Sequence, residues 1–188
     1  MKELIEEITP EVAIIGDAKR GDVDHSAQMY ARAVFESFGC DAVTVSPYLG
    51  QDSLRPFFEY GDRGIFVLCL TSNRGADDFQ LPDLYLRVAK KVQQWNVSGN
   101  VGLVVGATFP KKIKAIREVT GQIPLLIPGV GAQEGNLEKT LLYADDGSKL
   151  PYLINASRSV IYASPREDFA KQAGIAAKQL RDRINSLR

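Results

Sequence analysis

Six short apolar runs, each followed by a longer amphipathic or turn-rich segment, constrain this chain more than any other feature. The runs are residues 12–15 (VAII), 42–45 (AVTV), 65–70 (IFVLCL), 101–105 (VGLVV), 125–127 (LLI) and 152–154 (YLI). They are continuous rather than alternating and rich in branched side chains, the pattern of strands buried on both faces in a parallel sheet. Between them, apolar residues recur at helical spacing. Ala27, Tyr30, Ala31, Val34 and Phe38 mark a helix over about 26–38, and Phe169, Ala173, Ala176, Leu180, Ile184 and Leu187 mark another over about 165–187. Ser164 is placed to cap the latter and Pro165 to open it. Residues 81–95 and 111–119 predict two more helices, the second entered through Pro110. A shorter one within 51–60 is kinked or begins late at Pro56. Strict alternation of strand and helix defines an α/β fold.

With 188 residues, the chain suits one domain, 1–188, with a substantial core. Lysine plus arginine equals aspartate plus glutamate at 23 each, so no net field attracts nucleic acid or an anionic membrane. No apolar run approaches the roughly 20 residues of a membrane span. Residues 1–8 are acidic and helical in pattern, unlike a signal peptide, and the expected location is cytoplasmic. Cys40 and Cys69 sit far apart in apolar contexts and read as buried reduced thiols. A single histidine, His25, excludes a histidine-rich metal site.

Six strands fit a doubly wound open sheet by count, while a (β/α)8 barrel needs eight strands and about 250 residues. The residues after each run favour the barrel. They are DAKRGD (17–22), SPY (46–48), TSNRGA (71–76), GAT (106–108), PGVGAQEG (128–135) and NASRS (155–159), so every strand end carries polar or turn residues. An open sheet uses one crevice, whereas a barrel collects ligands from all its strand ends. The last two ends suit an anion. Glycines in PGVGAQEG let backbone N–H groups approach it, and Arg158 offers a planar fork that matches a phosphate. The plain alternatives are that these glycines only turn the chain and that DAKRGD is a solvated charge cluster.

Four of these stretches, in this order, resemble the orotidine 5'-phosphate decarboxylase family in its long-loop, type 2 branch. Asp17-Ala-Lys19-Arg-Gly-Asp22 matches the family's Asp-x-Lys-x-x-Asp at the end of its third strand. Thr71 to Gln80 (TSNRGADDFQ), Pro128 to Gln133 (PGVGAQ) and Ile154 to Arg158 (INASR) match three further motifs. The resemblance runs from about Val12 to the C-terminus. Val23-Asp-His-Ser26 stands where the family carries Ile-Gly-Asn-Thr or similar, and Ser26 keeps the hydroxyl.

The resemblance implies a TIM barrel of which these residues form strand–helix units three to eight, lacking the first two at the N-terminus. It implies a carboxy-lyase that converts orotidine 5'-monophosphate to UMP in pyrimidine biosynthesis, with no metal and no organic cofactor. Lys19 becomes the proton donor, with Asp17 and Asp22 holding it charged. Asp22 and Ser26 are expected to cross a homodimer interface into the partner's site. Ser72 is expected at the pyrimidine and Gln133 and Arg158 at the phosphate, while Thr71, Pro128, Gly129, Gly131 and Ser157 complete the substrate-binding set. The family's first two strands carry a ribose-binding aspartate and a second lysine with no counterpart here. These 188 residues alone are therefore expected to show little or no turnover. Two rivals remain: a magnesium-dependent sugar-phosphate decarboxylase or aldolase of the same suprafamily, and a non-catalytic truncated barrel.

Overall fold

A computed structural model of the chain describes residues 2–8, 10–130, 136–148 and 151–187. After a short helix α1 (Lys2–Glu6), the order is β1 (Ile15–Arg20), α2 (Asp24–Arg32), β2 (Ala42–Val45), α3 (Arg55–Phe58), β3 (Gly64–Leu70), α4 (Ala76–Phe79) and α5 (Leu84–Trp95). Then come β4 (Val101–Val105), α6 (Pro110–Thr120), β5 (Leu125–Pro128), α7 (Leu137–Ala144), β6 (Tyr152–Asn155), α8 (Arg158–Ile161) and α9 (Phe169–Ser186). α2 continues as a wider π turn over Ala33–Ser37.

The six strands are all parallel and lie in one sheet in the order β1-β2-β3-β4-β5-β6. A doubly wound sheet needs a reversal of strand order to cover both faces, and none occurs. Right-handed crossovers that always step in one direction place every helix on the same side. The two faces accordingly differ. Val43, Val45, Ile65, Val67, Leu103, Leu125 and Ile127 point outward into the main core with the helices. Ala42, Phe66, Val104 and Leu126, flanked by Ile15, Leu68 and Leu153, form a second cluster to which no helix contributes. This second cluster is the inward face of a barrel wall. The sheet is a curled part of a (β/α) barrel, with β1 and β6 as its edges.

The first strand differs from the expectation. It is not 12–15 with the charged stretch after it: it is Ile15–Arg20, so Asp17, Lys19 and Arg20 lie within it and Asp22 beyond it. Val12 is 55% exposed and stands outside the strand. Alternation explains the shift. Ile15, Asp17 and Lys19 share the concave side, where the strand end opens to water, while Ala18 packs on the helix layer. Arg20 lies 4.9 Å above the Tyr30 ring of α2.

Elsewhere the apolar runs lie where expected. α3 begins late with Pro56 in its first turn. Tyr85 is buried in the core and Trp95 packs against Phe58. Both cysteines are buried and unpaired, and burial pushes the Cys69 thiol up to about 12, leaving it inert at neutral pH. α9 starts at Phe169 rather than near Pro165. The Ser164 hydroxyl donates to Asp168 and accepts the Arg166 N–H, so it closes a turn ahead of the helix. Among the described residues, no helix is long and apolar enough to cross a membrane.

Candidate active site

The carboxyl ends of the strands surround a concavity of about 380 Å³ on the helix-free face. Its floor is Ile15, Leu68, Val104 and Leu126 from the inward cluster, and its polar rim is Asp17, Lys19, Thr44, Thr71, Ser72, Asn73 and Asn155. An apolar floor under a polar rim suits a flat ring with polar substituents at its edge.

At the β1 side, Lys19 Nζ donates to both Asp17 oxygens at 2.6 Å. Partial burial pushes the Asp17 carboxyl up. Hydrogen bonds from Lys19 and from Thr44, with the nearby ammonium charge, outweigh burial and hold it below the ordinary aspartate value. Both side chains are more than half exposed, so the pair itself adds at most about 1 kcal/mol to stability. Lys19 sits at φ 48°, a left-handed backbone that a lysine adopts only when its surroundings impose it.

Asp22 takes no part in this pair. Its Oδ1 accepts the Val23 N–H at 2.8 Å, and among the described carboxylates only Asp17 lies within 4 Å of the Lys19 ammonium. Asp24, which opens α2, also has a positive φ, 45°, and Ser26 is exposed on the first turn of that helix.

The loop after β3 is held by Gln80, the last residue of the TSNRGADDFQ motif. Its side-chain oxygen accepts the Thr71 N–H at 2.7 Å and its amide donates to Thr71 Oγ1 at 2.9 Å. Thr71 Oγ1 in turn donates to Asn73 Oδ1 at 2.6 Å. Ser72 is thereby fixed between the main concavity and a smaller one of about 150 Å³, lined also by Pro128, Gly129, Val130, Asn155, Ser157 and Arg158. Ser72, Pro128 and Asn155 line both, so the two spaces adjoin. Gly129 has φ 95°, a turn that needs glycine, and Arg158 opens α8. Gly131 and Gln133 lie outside the described residues.

The expected site residues thus separate into three groups. Asp17, Lys19, Thr71, Ser72 and Pro128 meet in the main concavity, and Gly129, Ser157 and Arg158 meet with Ser72 and Pro128 in the smaller one. Asp22 and Ser26 stand outside both. Thr44, Asn73 and Asn155 line the site without having been assigned a role from sequence. The one hydroxyl in the AVTV run was the available signal for Thr44.

A parallel barrel wall with an ammonium–carboxylate pair at the end of β1 and an arginine-lined recess at the ends of β5 and β6 defines a TIM-barrel protein of the enzyme type, with its site at the strand ends. Comparison with known proteins narrows this. The family model for "Orotidine 5'-phosphate decarboxylase / HUMPS family" matches residues 1–173. The chain is 49% identical over 185 residues to the orotidine 5'-phosphate decarboxylase of Azoarcus sp. (strain BH72), covering 95% of this chain and 68% of that protein. It is also 49% identical to the Dehalococcoides mccartyi (strain ATCC BAA-2266 / KCTC 15142 / 195) enzyme of the same name, over 100% of this chain and 73% of that one. The solved structure of Leishmania donovani OMP decarboxylase superposes with a TM-score of 0.88 at 38% identity, covering 99% of this chain and 72% of that one. The chain belongs to the orotidine 5'-phosphate decarboxylase / HUMPS family, and the relatives it matches at 49% identity are carboxy-lyases of pyrimidine biosynthesis. The magnesium-dependent sugar-phosphate alternative is not favoured, since these relatives are nucleotide decarboxylases.

Proposed function

We propose that the concave face binds orotidine 5'-monophosphate and that Lys19 protonates the ring carbon left when carbon dioxide departs. The observation that carries this is the Lys19 ammonium, 2.6 Å from both Asp17 oxygens at the rim of a ring-sized concavity that adjoins an anion recess. The carbon–carbon bond to the carboxylate breaks and its electron pair stays on the ring. The ammonium stabilises that charge and then transfers its proton to it, giving UMP, and the lysine recharges from solvent. No metal or organic cofactor enters the balance. Asp17 keeps the donor aimed, accepting the ammonium on both oxygens. Its own charge beside the substrate carboxylate raises the energy of the bound ground state, and that repulsion ends as neutral carbon dioxide forms.

Ser72, between the two spaces, is the group we assign to the pyrimidine edge. Arg158, the turn at Pro128 and Gly129, and Ser157 hold the phosphate, with Gly131 and Gln133 assigned to the same loop by the family motif. Binding energy from this remote phosphate then positions the ring over Lys19. Asp22 and Ser26 act across a homodimer interface in the partner's site. Asp22 stays clear of Lys19 within its own chain, and Val23 beside it is 52% exposed, which supports that role. Two buried reduced thiols fit a cytoplasmic protein. Among the described residues Lys19 is the only cation lining the main concavity, with no second lysine beside it, so turnover by these 188 residues is expected to be low.

Calorimetric titration with UMP tests the binding arm. Arg158→Ala is expected to weaken UMP binding about 10- to 100-fold. Preference for a sugar phosphate with magnesium over UMP would move the chain to the other branch of the family.

A further inference from the structure

We infer that Thr44, which no family motif quoted above contains, is the positioning residue that locks Asp17 and Lys19 into one arrangement. The inference rests on the Lys19 reading above and deepens it.

Thr44 lies on β2 and is 1% exposed, with its hydroxyl on the concave side. The β1–β2 ladder is irregular beside it. Gly16 pairs with Val43 and Arg20 with Val45, so four steps along β1 oppose two along β2. A bulge of this kind leaves an N–H without a ladder partner. Here that N–H belongs to Lys19, and Thr44 Oγ1 accepts it at 3.0 Å. The hydroxyl has one proton to give, and it goes to Asp17 Oδ1 at 2.8 Å. Asp17 Oδ1 also receives the Lys19 ammonium at 2.6 Å.

The result is a closed ring: Lys19 backbone N–H to Thr44 hydroxyl, hydroxyl to Asp17 carboxylate, carboxylate to Lys19 ammonium. One buried hydroxyl fixes the left-handed backbone of the lysine and the rotamer of its counter-ion together. Among the described residues lining the concavity, Asp17 and Lys19 are the titratable ones. The neighbouring strands present Thr44, Leu68, Val104, Leu126 and Asn155, all uncharged. Asp17 therefore has two side-chain donors, and removing Thr44 leaves only the lysine to hold it. Valine keeps the shape of threonine and supplies neither bond, whereas serine keeps both.

The test compares Thr44→Val and Thr44→Ser in the whole chain, with thermal melting as a check on folding and Thr44→Ala in reserve if valine disrupts it. Thr44→Val is expected to lower kcat about 10- to 100-fold while UMP affinity stays within about threefold, with serine restoring most of the loss. Independently of turnover, a carbon-13 carboxyl titration is expected to show the Asp17 midpoint moving upward in Thr44→Val and holding in Thr44→Ser. An unchanged kcat and an unchanged Asp17 titration in Thr44→Val would overturn the inference, as would a serine variant as impaired as the valine one. Lys19→Ala separates the two layers. If it turns over normally, the Lys19 reading fails. If it is inactive while Thr44→Val is normal in both readouts, only the role of Thr44 fails.

Discussion

Gly106 offers a direct way to disturb the site without substituting any residue that lines it. It follows β4 and is buried, and a Cβ added there would stand 2.8 Å from the N, Cα and Cβ atoms of Ser72. Ordinary van der Waals contact begins near 3.4 Å, so the Ser72 backbone must retreat by about 0.6 Å (3.4 − 2.8) in a Gly106→Ala variant. Neither side yields easily. Gly106 N–H donates to Leu70 O at 2.7 Å and Ala107 N–H to Pro128 O at 2.9 Å, which tie the turn to the neighbouring strand ends. Thr71, the residue before Ser72, is clamped by Gln80. Overpacking of this kind costs about 1–3 kcal/mol of stability. A displacement near half an ångström at the group assigned to the pyrimidine edge is expected to lower kcat/KM about tenfold. Ser72 lines both concavities, so UMP affinity is expected to fall in parallel. Melting curves, UMP calorimetry and initial rates on one preparation measure all three. A Gly106→Ala chain with unchanged melting and unchanged UMP affinity would refute the claim that Ser72 packs on this glycine and serves the site.

Arg117 makes the complementary case at the far end of the barrel wall. Its guanidinium donates to the carbonyls of Ala144, Gly121, Ile123 and Pro151 and lies 2.9 Å from Asp146 Oδ2, with both side chains nearly buried. Arg117→Met is expected to destabilise the fold by about 3–5 kcal/mol in urea unfolding while leaving UMP affinity unaltered, because Asp146 loses its counter-charge and several carbonyls lose their donor. Partial burial pushes the Asp146 carboxyl up, but hydrogen bonds from Ser148 and the Arg117 charge hold it below its ordinary value. A carboxyl depressed in the folded state contributes stability that is whole above its unfolded value, about 4, and is lost as pH falls through the folded one. The stability gap between the unaltered chain and Asp146→Asn is therefore expected to stay flat from neutral pH to about 5 and to shrink toward pH 3.

Much of this fold was readable because buried parallel strands leave continuous apolar runs. β2 and β4 carry no polar side chain on their outer face and lie where those runs lie. β1 escaped because its inward residues near the strand end face a wet concavity rather than a packed one, so charge continues along the strand. α7 escaped for another reason. Leu137, Thr140, Leu141 and Ala144 are buried at helical spacing and Asn136 caps the Lys139 N–H at 2.8 Å, but the glycine-rich run before them reads as loop. In the site, Lys19 among its sequence-neighbouring carboxylates and Arg158 after a strand drew attention by residue type, and the structure places each at the rim of a concavity. Thr44 and Gln80 act through hydrogen bonds to other residues, and their partners are 27 and 9 positions away in sequence. Such pairings exist only once the chain is folded.

Release of labelled carbon dioxide from carboxyl-labelled orotidine 5'-monophosphate, compared between the unaltered chain and Lys19→Ala, tests the central claim most directly. The expected result is slow release above the spontaneous rate in the unaltered chain, falling to background in Lys19→Ala, with UMP affinity retained. Equal release from the two chains would contradict the assignment of proton transfer to Lys19.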